Sequence, residues 1–176
     1  MKLRSILLIA AASCLTACAS VPTPADYADQ TPVLDLRSFF NGEVMAHGLF
    51  TDRAGKVVRR LQVLMKCRWD GNEGVLDEDF TYSDGTRQRR IWTLRKLPDG
   101  RYTGRADDVV GTAQGESAGN ALRWNYTLRL PVNDAVYEVQ FDDWMYLMDP
   151  RTLLNKAVMS KFGVRLGEVT LAFYKL

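Results

Sequence analysis

From Glu43 to the C terminus, turn-forming clusters recur about every ten residues, and this spacing is the tightest constraint on the fold. Arg53-Ala54-Gly55, Asp70-Gly71-Asn72-Glu73-Gly74, Asp84-Gly85, Pro98-Asp99-Gly100, Ala118-Gly119-Asn120 and Asn133-Asp134 all supply residues that accept the positive φ of hairpin loops. Between them the chain alternates. Leu122, Trp124, Tyr126, Leu128 and Leu130 fall on one face of an extended segment, with Arg123, Asn125, Thr127 and Arg129 on the other. Leu61, Val63, Met65, Cys67 and Trp69 repeat the pattern, and so do Val169, Leu171 and Phe173. The spacing predicts an all-β domain of eight to ten antiparallel strands with no long helix after Gly42.

Such a meander removes its unpaired edges by closing into a barrel, or protects them in a sandwich. A Greek-key sandwich uses long crossing connections, and the sequence has none. The expectation is therefore an up-and-down, lipocalin-like barrel, with a β-sandwich as the alternative. A transmembrane barrel is disfavoured by Arg60, Lys66, Arg68, Arg123 and Arg129 on the outward faces. A lipid-facing Lys or Arg at mid-bilayer costs about 2–4 kcal/mol.

The front of the chain carries an address. Lys2 and Arg4 precede an apolar run from Ile6 to Ala12, too short for a membrane span, in the pattern of a secretory leader. Leu15-Thr16-Ala17-Cys18 resembles the bacterial lipobox, which makes residues 1–17 a signal peptide and Cys18 an acylated N terminus. Several acyl chains anchor a protein far more firmly than the marginal binding of one. Ala19, in place of an aspartate after the cysteine, favours the outer membrane, with the protein facing the periplasm. Residues 18–33, with Pro22, Pro24 and Pro32, read as a flexible tether. The folded domain is expected over 34–176, opening with a short amphipathic turn or helix at Leu34, Leu36, Phe39 and Phe40. Without Lys2 and Arg4, 21 basic residues balance 21 acidic ones, so no basic excess points to nucleic acid. Of the three cysteines, Cys14 leaves with the leader and Cys18 is acylated. Cys67 remains as a core hydrophobe with no disulfide partner.

No catalytic constellation is expected. His47 is the single histidine, and a triad with Ser117 or Ser160 rests on no motif. In the acidic pairs Asp107-Asp108 and Asp142-Asp143, strand neighbours point to opposite faces and cannot act together. The same holds across Asp77, Glu78 and Asp79, where Asp77 and Asp79 share the solvent face. No cofactor or metal is implied.

Charges that fall in line with apolar residues are more informative. Parity places Arg59 with Leu61 and Val63, Glu78 between Leu76 and Phe80, and Asp143 between Phe141 and Met145, while Asp142 faces solvent. Arg90 joins them if Trp92 faces inward. A two-residue Asp84-Gly85 hairpin would turn Ile91 inward instead, so Trp92 needs a longer loop or a bulge. Interior charges must pair, sit near a mouth or meet a ligand head group. Asp143 is expected to pair with Arg59 or Arg90.

Trp69-Asp70-Gly71, Leu76-Asp77-Glu78-Asp79-Phe80, Asp142-Asp143-Trp144-Met145-Tyr146-Leu147 and Ser160-Lys161-Phe162-Gly163 together resemble an uncharacterised family of proteobacterial lipoproteins, domain-of-unknown-function family 3833. The likeness runs from Leu34 to Leu176 and implies a small β-rich lipoprotein with no assigned catalytic residues or cofactor. Two functions follow as expectations. One is a membrane-tethered module binding a fatty acid, phospholipid or other small amphiphile inside the barrel. The other is a structural or protein-interaction lipoprotein of the envelope with a barrel filled by side chains.

Overall fold

Short reversals let each strand pair with the next until the last meets the first. In the computed structural model, which describes residues 21–132 and 134–176, ten strands follow in order: β1 Gly42–Asp52, β2 Val57–Asp70, β3 Glu73–Tyr82, β4 Arg87–Lys96, β5 Tyr102–Arg105, β6 Ala113–Ala118, β7 Ala121–Val132, β8 Ala135–Asp149, β9 Thr152–Lys161 and β10 Val164–Lys175. All pair antiparallel with their chain neighbours, and β1 pairs with β10 from Val44↔Lys175 to Asp52↔Gly167. The sheet closes into an up-and-down barrel, with the ladder interrupted where short β5 pairs with β4 over Thr93–Lys96 and short β6 with β7 over Ala121–Asn125, and the sandwich alternative falls. The leader, Cys14 and Cys18 lie outside the described residues.

Three hairpins use one device. In the loops 53–55, 83–85 and 98–100, the closing glycine N–H donates to the carbonyl of Asp52, Tyr82 or Leu97 at 2.9–3.0 Å. Each glycine lies at φ of 82–85°, which turns a type I turn back into the ladder. At 83–85 this decides a register that the sequence left open. The loop has three residues, so Thr81 pairs with Arg87 and Leu76 with Trp92. Trp92 therefore faces the interior, and Ile91 is exposed on the outside.

The two ends of the barrel differ. At the end where β1 begins, α1 (Leu36–Phe39) lies across the opening and buries Leu36, Phe39 and Phe40. A helix of four residues has no stability of its own. Burial of these side chains contributes about 1.5–3 kcal/mol each, and specific bonds fix the geometry. Asp35 caps α1 by accepting from the Arg37 N–H at 2.9 Å, and its carboxylate also accepts from Lys96 Nζ at 2.9 Å and the Tyr102 hydroxyl at 3.2 Å. Trp69 Nε1 donates to the Phe40 carbonyl, and Lys175 Nζ to that of Ser38.

Within residues 18–33, expected as a tether, part of the chain is docked on the barrel. Pro24–Tyr27 form a single 3-10 turn on the outer wall near the closed end, where Tyr27 packs edge-on against Trp144 and Tyr146 at ring separations of 5.7 and 5.4 Å. The Leu34 N–H donates to the Gly119 carbonyl. Gly119 has to be glycine, because a Cβ there would stand 1.8 Å from the Tyr27 carbonyl oxygen. Two aromatic contacts and one buried proline hold a segment whose own sequence has no apolar period.

Candidate ligand-binding lumen

Strand parity gives the barrel an apolar inner wall, but the side chains do not fill it. A lumen of about 970 Å³ runs from Leu36 and Phe40 at the closed end to Pro131, Val132, Tyr137, Lys161 and Leu166 at the other. That volume is at the upper end of ordinary small-molecule sites, about 300–1,000 Å³. Most of the wall is Leu, Val, Met, Phe and Trp. Part-way along, six polar residues from different elements interrupt it, namely Glu78 on β3, Arg90 on β4, Asp108 from the 106–112 loop, Tyr126 on β7, Asp143 on β8 and Asn155 on β9, and Arg59, Gln88, Arg129 and Lys161 stand nearer the open end.

Arg90 and Asp108 form one half of this belt. Arg90 Nε and Nη2 donate to the Asp108 carboxylate at 3.0 and 2.7 Å, a two-pronged pair of the strong kind. The guanidinium also lies 5.3 Å over the Phe80 ring. Asp108 reaches the lumen because its loop is strapped to β7. The Arg129 N–H donates to the Asp108 carbonyl, the Val110 N–H donates to that of Thr127, and Val109 is buried beside Leu128.

Asp143 forms the other half, and its partners correct the expectation of an arginine. The Tyr126 hydroxyl donates to Oδ2 at 2.9 Å, and the Asn155 amide donates to Oδ1 and also to the Trp144 carbonyl. Neither candidate arginine is free to reach it. Arg90 is committed to Asp108. Arg59 sits at the open end, where it pairs with Asp84 at 2.7 Å, donates to Thr86 and lies 3.7 Å over the Tyr82 ring. Tyr126 itself is fixed between Phe141, stacked at 5.0 Å, and Trp92, edge-on at 5.6 Å. Asp142 points outward into a paired contact with Arg123 at 2.6 and 2.8 Å.

Glu78 differs from the rest. It is 9% exposed and lines the lumen. Its nearest cationic atom is Arg90 Nη1 at 4.0 Å, and it accepts no hydrogen bond among the described residues. Burial, opposed by Arg90 and reinforced by Asp108 and Asp143, pushes its carboxyl up to about 7. Burial also raises Asp143 to about 6 against the pull of its two hydrogen bonds. The same cause takes the Cys67 thiol to about 12, so it stays a neutral core group.

A family model described as "Protein of unknown function (DUF3833)" matches residues 12–175. The chain belongs to this family. No curated protein matches it.

In this DUF3833 chain the other sequence candidates remain apart. His47 is exposed on the outside of β1, whose neighbours are β2 and β10, while Ser117 lies on β6 and Ser160 on β9. Asp77 pairs with Arg89 on the outer surface at 2.6 Å. Among the described residues no group of three or more His, Cys, Asp and Glu side chains is placed to hold a metal ion. Sequence reasoning missed Asp108, Tyr126 and Asn155 as members of the site. Tyr126 was on a face assigned inward and its hydroxyl could have been counted there, since a buried tyrosine hydroxyl usually finds a partner.

The rim at the open end is apolar. Val57, Val58, Val132, Val136, Phe162 and Val164 stand exposed on or beside the hairpin tips around the mouth. Phe162 is 89% exposed and sits at φ of 51°, a conformation that costs an ordinary L residue about 1–2 kcal/mol.

Proposed function

We propose that this protein is a lipid-anchored, periplasm-facing binding module of the outer membrane that holds one small amphiphile inside its barrel. The observation that carries this reading is the lumen of about 970 Å³, closed by α1 at one end, open at the other, and mainly apolar, with a polar belt part-way along and a few polar side chains near the mouth. An apolar pocket with a few converging polar groups is the usual form of a small-molecule site. A barrel serving only as a scaffold would be expected to pack its interior to the density of other protein cores. The docking of the chain from Pro24 near the closed end supports a definite orientation. Five residues lie between Cys18 and Pro24, and the six steps from one to the other span at most about 21 Å, at about 3.5 Å each. With Cys18 acylated, the closed end faces the anchoring bilayer and the mouth opens away from it.

Uptake of a neutral, environment-sensitive naphthylamine dye tests the reading. The wild-type chain takes up about one equivalent, with enhanced emission. Val169→Trp, which adds bulk to the lumen wall, abolishes most of it. A folded wild-type chain that takes up no dye would overturn the proposal.

A further inference from the structure

We propose that Glu78 anchors a cation-binding subsite in the lumen, and that the amphiphile this barrel accepts carries a protonated amine as its head group. This rests on the lumen being a binding site, and it specifies what binds there.

The deep polar groups of the lumen differ in the hydrogen bonds they already have. Arg90 is saturated on one edge by Asp108, and Asp143 accepts from Tyr126 and Asn155. Glu78 has a 4.0 Å approach to Arg90 Nη1 and no hydrogen bond among the described residues, although it is nine-tenths buried. A buried carboxyl without donors is costly, and buried polar groups in native proteins almost always find partners. The open side of Glu78 is the lumen, so the missing donor is expected to come from whatever occupies it.

Charge selects the kind of donor. Three carboxyls, Glu78, Asp108 and Asp143, surround the middle of the lumen, and Arg90 is the one guanidinium among them. The other cations on the wall, Arg59, Arg129 and Lys161, stand toward the open end, and Arg59 is paired there with Asp84. A carboxylate head at this depth would be a fourth acid facing a guanidinium already occupied. An ammonium brings the absent positive charge and three donors. Glu78 on β3 and Asp143 on β8 lie five strands apart in a ring of ten and face the lumen from opposite walls, and the charge of Asp143 is felt at Glu78, so a cation beside Glu78 also relieves that repulsion. Apolar wall on either side of the belt, with Leu94, Trp124 and Phe173 below and Leu128, Val139 and Met159 above, accommodates the tail.

The groups facing Glu78 set the pH response. They are Arg90 on β4, Asp108 from its loop, Asp143 on β8, Tyr126 on β7, Tyr82 on its own strand and Cys67 on β2, and Asp77 on the outer face of the same strand adds a smaller repulsion. The tyrosines and Cys67 stay neutral near pH 7, because burial raises all three. Glu78, held at about 7, and Asp143, at about 6, are the groups whose charge changes between pH 5.5 and 8. A primary alkylamine stays protonated over that interval, so a change in its binding reports on the protein.

The experiment displaces the neutral dye from the mature chain, expressed from residue 18 with Cys18→Ser, using dodecylamine, dodecanol and dodecanoate. At pH 8 dodecylamine binds at least about ten-fold more tightly than dodecanol, and dodecanoate more weakly than dodecanol. Lowering the pH to 5.5 removes most of the amine preference as Glu78 takes up a proton. Glu78→Gln removes it at pH 8, bringing dodecylamine to the affinity that the same variant shows for dodecanol. If that variant does not fold, the pH series on the wild-type chain carries the test alone. Equal displacement by all three ligands, tighter binding of dodecanoate, or an amine preference that persists at pH 5.5 or in Glu78→Gln overturns the inference while leaving the lumen a binding site. Failure of the wild-type chain to take up the dye overturns the binding reading itself.

Discussion

Glu78→Gln keeps the shape of the side chain and removes its charge, and it should change how stability depends on pH. Burial raises the Glu78 carboxyl from 4.5 to about 7, so between those values the folded protein holds a proton that the unfolded chain has released. The stabilisation from this group is full below about pH 4.5 and is lost as the pH rises through 7. From pH 5 to pH 8 the linkage relation gives a loss of about 2–3 kcal/mol. Asp143, raised from 3.8 to about 6, loses about 1 kcal/mol more over the same interval. Asp84 and Asp99, held low by hydrogen bonds on the surface, act in the opposite sense but only below about pH 4. The unliganded wild-type protein should therefore be about 3–4 kcal/mol less stable at pH 8 than at pH 5, and Glu78→Gln only about 1 kcal/mol less. Urea titrations followed by tryptophan emission resolve this, because a slope of about 1–3 kcal/mol per molar turns the difference into a midpoint shift on the order of 1 M or more. Equal pH dependence in the two proteins, or a wild type more stable at pH 8, would refute the placement of Glu78 as a buried carboxyl without donors.

Three further expectations follow from single contacts. Asp143→Ala should cost about 2–3 kcal/mol, because it strands the Tyr126 hydroxyl and the Asn155 amide in the interior, while Asp142→Ala, which breaks only the outer pair with Arg123, costs at most about 1 kcal/mol; equal midpoint shifts in urea would contradict the assignment of faces. Phe162→Asn should stabilise the barrel by up to about 1 kcal/mol in thermal or urea unfolding, since an exposed ring is replaced by a residue that tolerates positive φ; destabilisation would mean that the ring is packed in solution. Cys18→Ser should leave unprocessed precursor and abolish palmitate labelling, and continued labelling would move the anchor to Cys14.

The barrel was legible because its information is local and periodic. Alternation in segments such as Leu122–Leu130 and turn chemistry every ten residues leave little choice once edges must be closed. The interior of β4 was less legible, because one residue of loop length at Asp84-Gly85 decides whether Trp92 or Ile91 faces inward, and both loop lengths suit that dipeptide. Parity placed Glu78 and Asp143 on the inner face but could not supply their partners. Asp108 comes from a loop with no period, and its position depends on backbone bonds to Thr127 and Arg129 that only the folded chain brings together. The docked turn at Pro24–Tyr27 was hidden for a similar reason: its hold on the barrel is one tyrosine meeting Trp144 and Tyr146, more than a hundred residues away.

Native mass spectrometry of the unlipidated mature chain, purified without detergent, reads directly whether the lumen holds an amphiphile. The expected result is a population carrying one small amphiphilic molecule per chain, which is lost in the lumen-filling variant Val169→Trp. A single unliganded mass from a chain that is folded by circular dichroism, before and after incubation with dodecylamine, would contradict it.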